Sequence, residues 1–190
     1  MSVENKKSFL YKVAMARKVN AGISLLCTLL IVAHAVCDSI WMFFHKSPTF
    51  PKVGSYVLVG LVALHAVLSI VTAILGSGKK TNKKEKFYKK ENIKTLLQRM
   101  TGMLMVVLLF AHIFGMQKWL IPHLLHTIIH PIFFLAVYVH TAISCSKAFV
   151  TLGIGNAKTI KVLDVAMGIF FALLFVLSVV GLCIVMYGSW

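Results

Sequence analysis

The chain has 190 residues, of which 59% are hydrophobic and only 13% are charged, whereas a soluble domain averages about a quarter charged. A net charge of +15 would suggest a nucleic-acid partner for a soluble protein, but the apolar runs here are long enough to cross a bilayer. The composition therefore excludes a water-soluble domain and predicts an all-α integral membrane protein.

Five charge-poor runs predict five transmembrane helices in a single membrane domain that covers residues 1–190. In chain order these are spans one to five, at about 21–44, 54–77, 99–117, 120–146 and 162–188. Spans three and four are separated by very few residues, so we expect them to form a tight hairpin. A basic loop, residues 78–98, joins spans two and three.

The basic residues lie mostly on one side of this predicted topology. Of the 20 Lys and Arg residues, 17 fall in the N-terminal segment, in the loop ending at Arg99, and in the segment after span four. Only Lys46, Lys52 and Lys118 fall on the other side. The positive-inside rule then predicts a multi-pass protein of the cytoplasmic (inner) membrane, with a cytoplasmic N-terminus and an outside C-terminus.

Each of the first four spans carries a histidine deep in its apolar run, namely His34, His65, His112 and His140. An ionisable residue inside a membrane is a functional candidate. At the rise of an α-helix, His34 and His112 both lie roughly 20 Å from the cytoplasmic edge, while His65 and His140 lie roughly 18 and 10 Å from it. These depths predict an outer pair, His34 with His112, and an inner pair, His65 with His140.

Two facing imidazoles can ligate a six-coordinate haem iron, and the cores of helix bundles often hold cofactors. The two pairs therefore predict two haem b groups in a bundle formed by four of the five helices, stacked so that electrons can cross the bilayer. The same spacing also fits four histidines that pack and hydrogen-bond between helices without a cofactor. Spacing alone leaves both interpretations open.

Several motifs resemble one family of membrane subunits. Residues 97–102, Leu-Gln-Arg-Met-Thr-Gly, followed by His112, resemble a signature of succinate dehydrogenase and fumarate reductase anchors, QR-x-[ST]-G and then a haem-ligand histidine. The single-chain, five-span, dihaem cytochrome b558 type is similar at three further places: Arg17 before His34, residues 64–67 around His65, and His140 with residues 147–154. The resemblance covers residues 10–185, approximately.

The resemblance implies an electron-transfer anchor of a succinate:quinone or quinol:fumarate oxidoreductase, with the same two ligand pairs. The implied partners are a flavoprotein and an iron–sulfur subunit on the cytoplasmic side, a membrane quinone (menaquinone or ubiquinone) and lipid. No nucleic acid is expected. Because the dicarboxylate reaction would take place on the partner subunits, no catalytic residue is predicted in this chain.

Arg17 and Arg99 are the only arginines, and both are predicted at cytoplasmic helix ends. They are candidates for binding haem propionates, because a guanidinium group can hold a carboxylate through two hydrogen bonds. Ordinary positive-inside anchoring is the alternative. Asp38, one turn beyond His34, is a candidate for proton exchange with a quinone, or a water-exposed residue at the helix end.

His126 and His130 share one face of span four with His123. They are candidates for a quinone pocket or a proton route, or interfacial residues without such a role. His130 is also an alternative to His140 as the haem ligand of span four. Two other functions fit the chain: a dihaem b-type quinol subunit of a formate or hydrogen enzyme, and a non-haem membrane carrier or structural protein.

Overall fold

The structure, a computed structural model, describes residues 3–44, 52–76, 89–117 and 123–187. Five helices account for these residues, apart from a turn at 153–156. In chain order they are α1 (Val3–Phe44), α2 (Lys52–Gly76), α3 (Lys89–Gln117), α4 (His123–Leu152) and α5 (Ala157–Tyr187). All five are long and apolar enough to cross a membrane, which confirms the predicted all-helical, multi-pass architecture.

The helices extend beyond the predicted spans. Helix α1 begins at Val3 and not at residue 21, α3 begins at Lys89 and not at residue 99, and α4 continues to Leu152. Residues 89–98, which the sequence placed in the basic loop, are thus the first turns of α3. Lysine, glutamine and leucine all favour helix, so a helix continues where the hydropathy signal stops.

The turn between α4 and α5 has well-formed caps on both sides. Gly153 has a φ of 76°, its N–H donates to the Val150 carbonyl at 3.1 Å, and the N–H of Ile154 donates to the Phe149 carbonyl at 2.9 Å. This is the Schellman ending that glycine favours. Asn156 then caps α5, because its Oδ1 accepts from the Thr159 N–H at 2.9 Å.

Helices α1 and α4 form the centre of the protein. Helix α1 packs on α2, α4 and α5, and α4 packs on α1, α3 and α5. Among the described residues, no Cα atom of α2 lies within 8 Å of a Cα atom of α3 or α4, and no Cα atom of α1 lies within 8 Å of one in α3. The α2–α3 side of the bundle is therefore not closed by backbone packing.

Side-chain contacts show which helix ends lie together. At one end, three polar pairs link different helices: Asn20 with Ser69, Thr95 with Lys147, and Lys94 with Asp164. At the opposite end, Gly181 of α5 packs against Met42 of α1. We call the first the basic end and the second the far end. The basic end is the one that the charge distribution predicts to be cytoplasmic.

Candidate functional site

The predicted inner pair meets inside the bundle. The ring centres of His65 on α2 and His140 on α4 lie 6.4 Å apart, and the ring planes are inclined by 75°. A metal ion bound at about 2 Å by one nitrogen of each ring would hold the ring centres roughly 6 Å apart. The two imidazoles thus bridge helices whose backbones stay separated, at a distance suited to a bis-histidine centre.

The His140 ring is fixed by α3. Its Nδ1 donates to the main-chain carbonyl of Gln98 at 2.9 Å, and the Thr101 hydroxyl oxygen lies 3.4 Å from the same nitrogen. A proton on Nδ1 leaves Nε2 with a free lone pair, which is the form of histidine that binds a metal. Donation of the second ring nitrogen to a carbonyl is also the usual way in which a ligand histidine is oriented.

Gly102 permits this approach. A Cβ atom built at Gly102 would lie 2.9 Å from Cε1 of His140, closer than real Cβ contacts come, and 3.2 Å from its Nδ1, which is tighter than most of them. The imidazole therefore lies directly on the backbone of α3, and any side chain at position 102 would displace it. Gly60 and Gly168, by contrast, have no atom within 4 Å of such a Cβ.

A second layer of polar contacts surrounds Gln98. Its Nε2 donates to Ser144 Oγ at 2.9 Å, and its Oε1 accepts from the Lys147 ammonium at 2.9 Å. Lys147 also donates to Thr95 Oγ1 at 2.9 Å. The Gln98 side chain is therefore bound to α4 through both its amide nitrogen and its amide oxygen.

His65 has a different environment. Its Nδ1 is buried and has no hydrogen-bond partner among the described residues. The main chain of Asn20 on α1 lies beside the ring, and the Asn20 side chain donates to Ser69 on α2 at 3.0 Å. A buried polar atom without a partner is costly, so this nitrogen is a natural position for a ligand.

A small cavity of about 20 Å³ lies between the two rings. Its lining is mainly apolar and includes four hydroxyl-bearing residues on the two central helices, Ser24, Thr28, Thr141 and Ser144. Such a volume holds about one water molecule. The donor set fits a bis-imidazole metal centre, and a planar macrocycle would have to extend toward the open α2–α3 side.

At the far end, the contacts differ from the predicted outer pair. His112 lies beside His130 of α4, with ring centres 5.4 Å apart, and stacks on Phe133 at 5.0 Å. The Nε2 of His34 lies 3.4 Å from the carboxylate of Asp38, one turn further along α1. His34 and His112 as joint ligands stay a prediction, and His130 is the histidine that the structure brings to His112.

The other predicted site residues are spread out. Arg17 and Arg99 are exposed on α1 and α3, so propionate binding by them stays a prediction. The backbone of His123 and His126 belongs to the first turns of α4, but their side chains lie outside the described residues. Among the described residues, no group of three or more His, Cys, Asp or Glu side chains could hold a metal ion, whereas a haem needs only two protein ligands.

Comparison with known proteins finds no matching family model, no similar curated protein and no similar solved structure. The resemblance in the sequence therefore rests on its motifs alone.

The sequence singled out this segment of α3 through the motif that precedes His112, and its contacts with His140 are an addition from the structure. Gln98, Thr101 and Gly102 were assigned to a signature that precedes His112, whereas all three contact His140. The roles of Ser144 and Lys147 were not foreseen. The signal that would have shown them is the register of the α3–α4 hairpin, which places the start of α3 beside the end of α4.

Proposed function

We propose that this chain is a haem b-carrying electron-transfer subunit of the cytoplasmic membrane. The observation that carries the proposal is the His65–His140 pair, with Nδ1 of His140 bound to a main-chain carbonyl and its Nε2 left for a metal. Bound there, a haem iron would supply one-electron transfer inside the membrane.

The residues of the chain have separate tasks in this proposal. His65 and His140 would ligate the inner iron, and Gly102 would leave room for the His140 ring. Gln98 and Thr101 would hold that ring in one orientation. Four hydroxyl-bearing side chains of α1 and α4 are among those that line the cavity beside the two imidazoles.

The finer assignment follows the motif resemblance. We infer an anchor of a succinate:quinone or quinol:fumarate oxidoreductase, with a flavoprotein and an iron–sulfur subunit bound at the basic end and a membrane quinone as the other redox partner. A second haem b between His34 and His112 belongs to this proposal. Asp38 and His130 would then lie next to an outer ligand, where quinone protons have to be exchanged.

A non-haem role is the competing interpretation, and it is favoured by the far-end contacts. His34 with Asp38, and His112 with His130 and Phe133, are contacts by which histidines can pack inside a membrane protein. This interpretation predicts a colourless protein.

A haem determination separates the two. The chain is purified with its companion proteins, and haem b is measured by the pyridine haemochrome spectrum against protein. We expect two haems per chain, and co-purification of a covalent-flavin subunit supports the succinate or fumarate assignment. Absence of haem contradicts the proposal, and a hydrogenase or formate dehydrogenase partner changes the assignment within dihaem quinol enzymes.

A further inference from the structure

One cationic side chain is joined to the candidate haem ligand through a single residue. The Lys147 ammonium donates to Oε1 of Gln98 at 2.9 Å, and the Gln98 carbonyl accepts from Nδ1 of His140 at 2.9 Å. Lys147 and His140 are both on α4, seven residues apart. They are linked by way of Gln98, which belongs to the neighbouring helix α3. Two hydrogen bonds, both accepted by Gln98, therefore connect the Lys147 ammonium group with the His140 ring.

The location of this lysine is unusual for a residue that only marks the basic side of a membrane. Lys147 is half-buried and donates to two neutral oxygens, those of Thr95 and Gln98, whereas Lys158 and Lys161 on α5 are exposed. Exposed lysines satisfy the charge rule equally well. The contacts of Lys147 instead fix the side chain of Gln98 between α3 and α4.

A positive charge in a medium of low dielectric stabilises an added electron nearby. Second-layer hydrogen bonds are among the means by which a protein sets the potential of a haem. The positive charge of Lys147 favours the reduced iron, whereas the hydrogen bond from His140 to the Gln98 carbonyl makes the ligand more basic and favours the oxidised iron. Replacing Lys147 with a neutral side chain removes the charge and keeps that carbonyl, so the charge decides the sign of the change.

We propose that Lys147 is a positioning residue for His140, acting through Gln98, and that its positive charge raises the reduction potential of the inner centre. This rests on the proposed function, since it requires a haem between His65 and His140. It adds a residue that acts on the potential without touching the cofactor.

The test compares Lys147→Met with Lys147→Arg, and uses Lys158→Met as the matched control for losing an exposed lysine at the same end. Each variant is purified with its companion subunits. Haem content, the absorbance spectrum and the midpoint potential of the inner haem are measured, the last by redox titration. A purely structural role would leave the potential unchanged.

We expect Lys147→Met to keep its haem and to shift the one-electron equilibrium about tenfold toward the oxidised form, which corresponds to about 59 mV. Lys147→Arg should stay close to the unmodified protein, and Lys158→Met should match it. An inner potential in Lys147→Met equal to that of Lys158→Met overturns the inference and leaves the proposed function intact. Absence of haem from the unmodified protein overturns the proposed function itself.

If the Lys147 variants do not accumulate, Gln98→Leu provides the same test. It removes the amide oxygen through which Lys147 contacts Gln98, leaves the contact of Lys147 with Thr95, and keeps the main-chain carbonyl that accepts from His140. A lowered inner potential supports the inference, and an unchanged potential in a haem-loaded variant contradicts it.

Discussion

The two ends of the bundle treat their histidines differently. Near the basic end, His65 and His140 belong to helices whose backbones stay apart, and the His140 ring is held by a carbonyl and laid on a glycine. Toward the far end, His112 and His130 belong to two antiparallel helices that pack on each other, and His34 contacts its own helix at Asp38. Histidines of the two predicted pairs thus have different surroundings: one ring is held against the backbone of α3 near the basic end, and the rings toward the far end contact other side chains.

Removing His65 or His140 should cause the largest loss of haem among the variants considered. We expect His140→Ala and His65→Ala each to lose the inner haem completely, because an iron held by two imidazoles loses half of its protein ligands. Haem content and the reduced-minus-oxidised spectrum measure the loss. Tyr138→Phe is the control, since it removes only the buried 2.8 Å hydrogen bond to Ser178. Normal haem content in His140→Ala would exclude His140 as a ligand.

Adding a side chain at Gly102, against which the His140 ring lies, should cause the next largest loss of haem. Gly102→Val places branched carbons where the imidazole ring lies, and we expect haem retention to fall by roughly 10–100-fold, as for other losses of ligand orientation. Gly60→Val, at a glycine with open space around it, should retain haem. Equal retention in the two variants would show that the contact with α3 is unimportant for the ligand.

Three single substitutions show which histidines ligate the second haem at the far end. If depth decides the outer pair, His34→Ala and His112→Ala each lose the second haem, and His130→Ala keeps it. We expect this result, together with an unchanged inner spectrum in all three variants. Loss of the second haem in His130→Ala, with retention in His34→Ala, would move the ligand role to His130.

The smallest effect concerns the attachment of α5, which carries no histidine. Lys94 and Asp164 form a 2.8 Å ion pair between α3 and α5, and about a third of each side chain is exposed. Pairs of this kind contribute less than about 1 kcal/mol. We expect Lys94→Ala to lower the thermal midpoint slightly with haem unchanged, as judged against Lys158→Ala. A loss of haem would show that α5 supports the site directly.

The five helices and the four central histidines followed from the sequence because apolar length and the positions of ionisable residues are one-dimensional properties. The helix ends at Val3 and Lys89 did not, since lysine-rich segments favour helix without an apolar signal. The inner pair followed from counting residues along spans two and four, which cross the membrane in the same direction.

The surroundings of the pair required the register of a hairpin. In the contacts Thr95–Lys147, Gln98–Ser144, Gly102–His140 and His112–His130, the two residue numbers always add to 242. That constant value is the signature of two antiparallel helices in one register, and it pairs the 98–102 segment with His140. The depth of a residue, by contrast, does not indicate which helices are neighbours. It therefore did not predict that His130 lies beside His112.

The His65–His140 pair is tested most directly in a protein that has no other central histidine pair. The double variant His34→Ala, His112→Ala removes both predicted outer ligands and leaves the contacts among Gln98, Gly102 and His140 in place. The haem-to-protein ratio of this variant is the decisive quantity. We predict one low-spin haem b per chain, and a protein that folds with its partners but contains no haem would contradict the account.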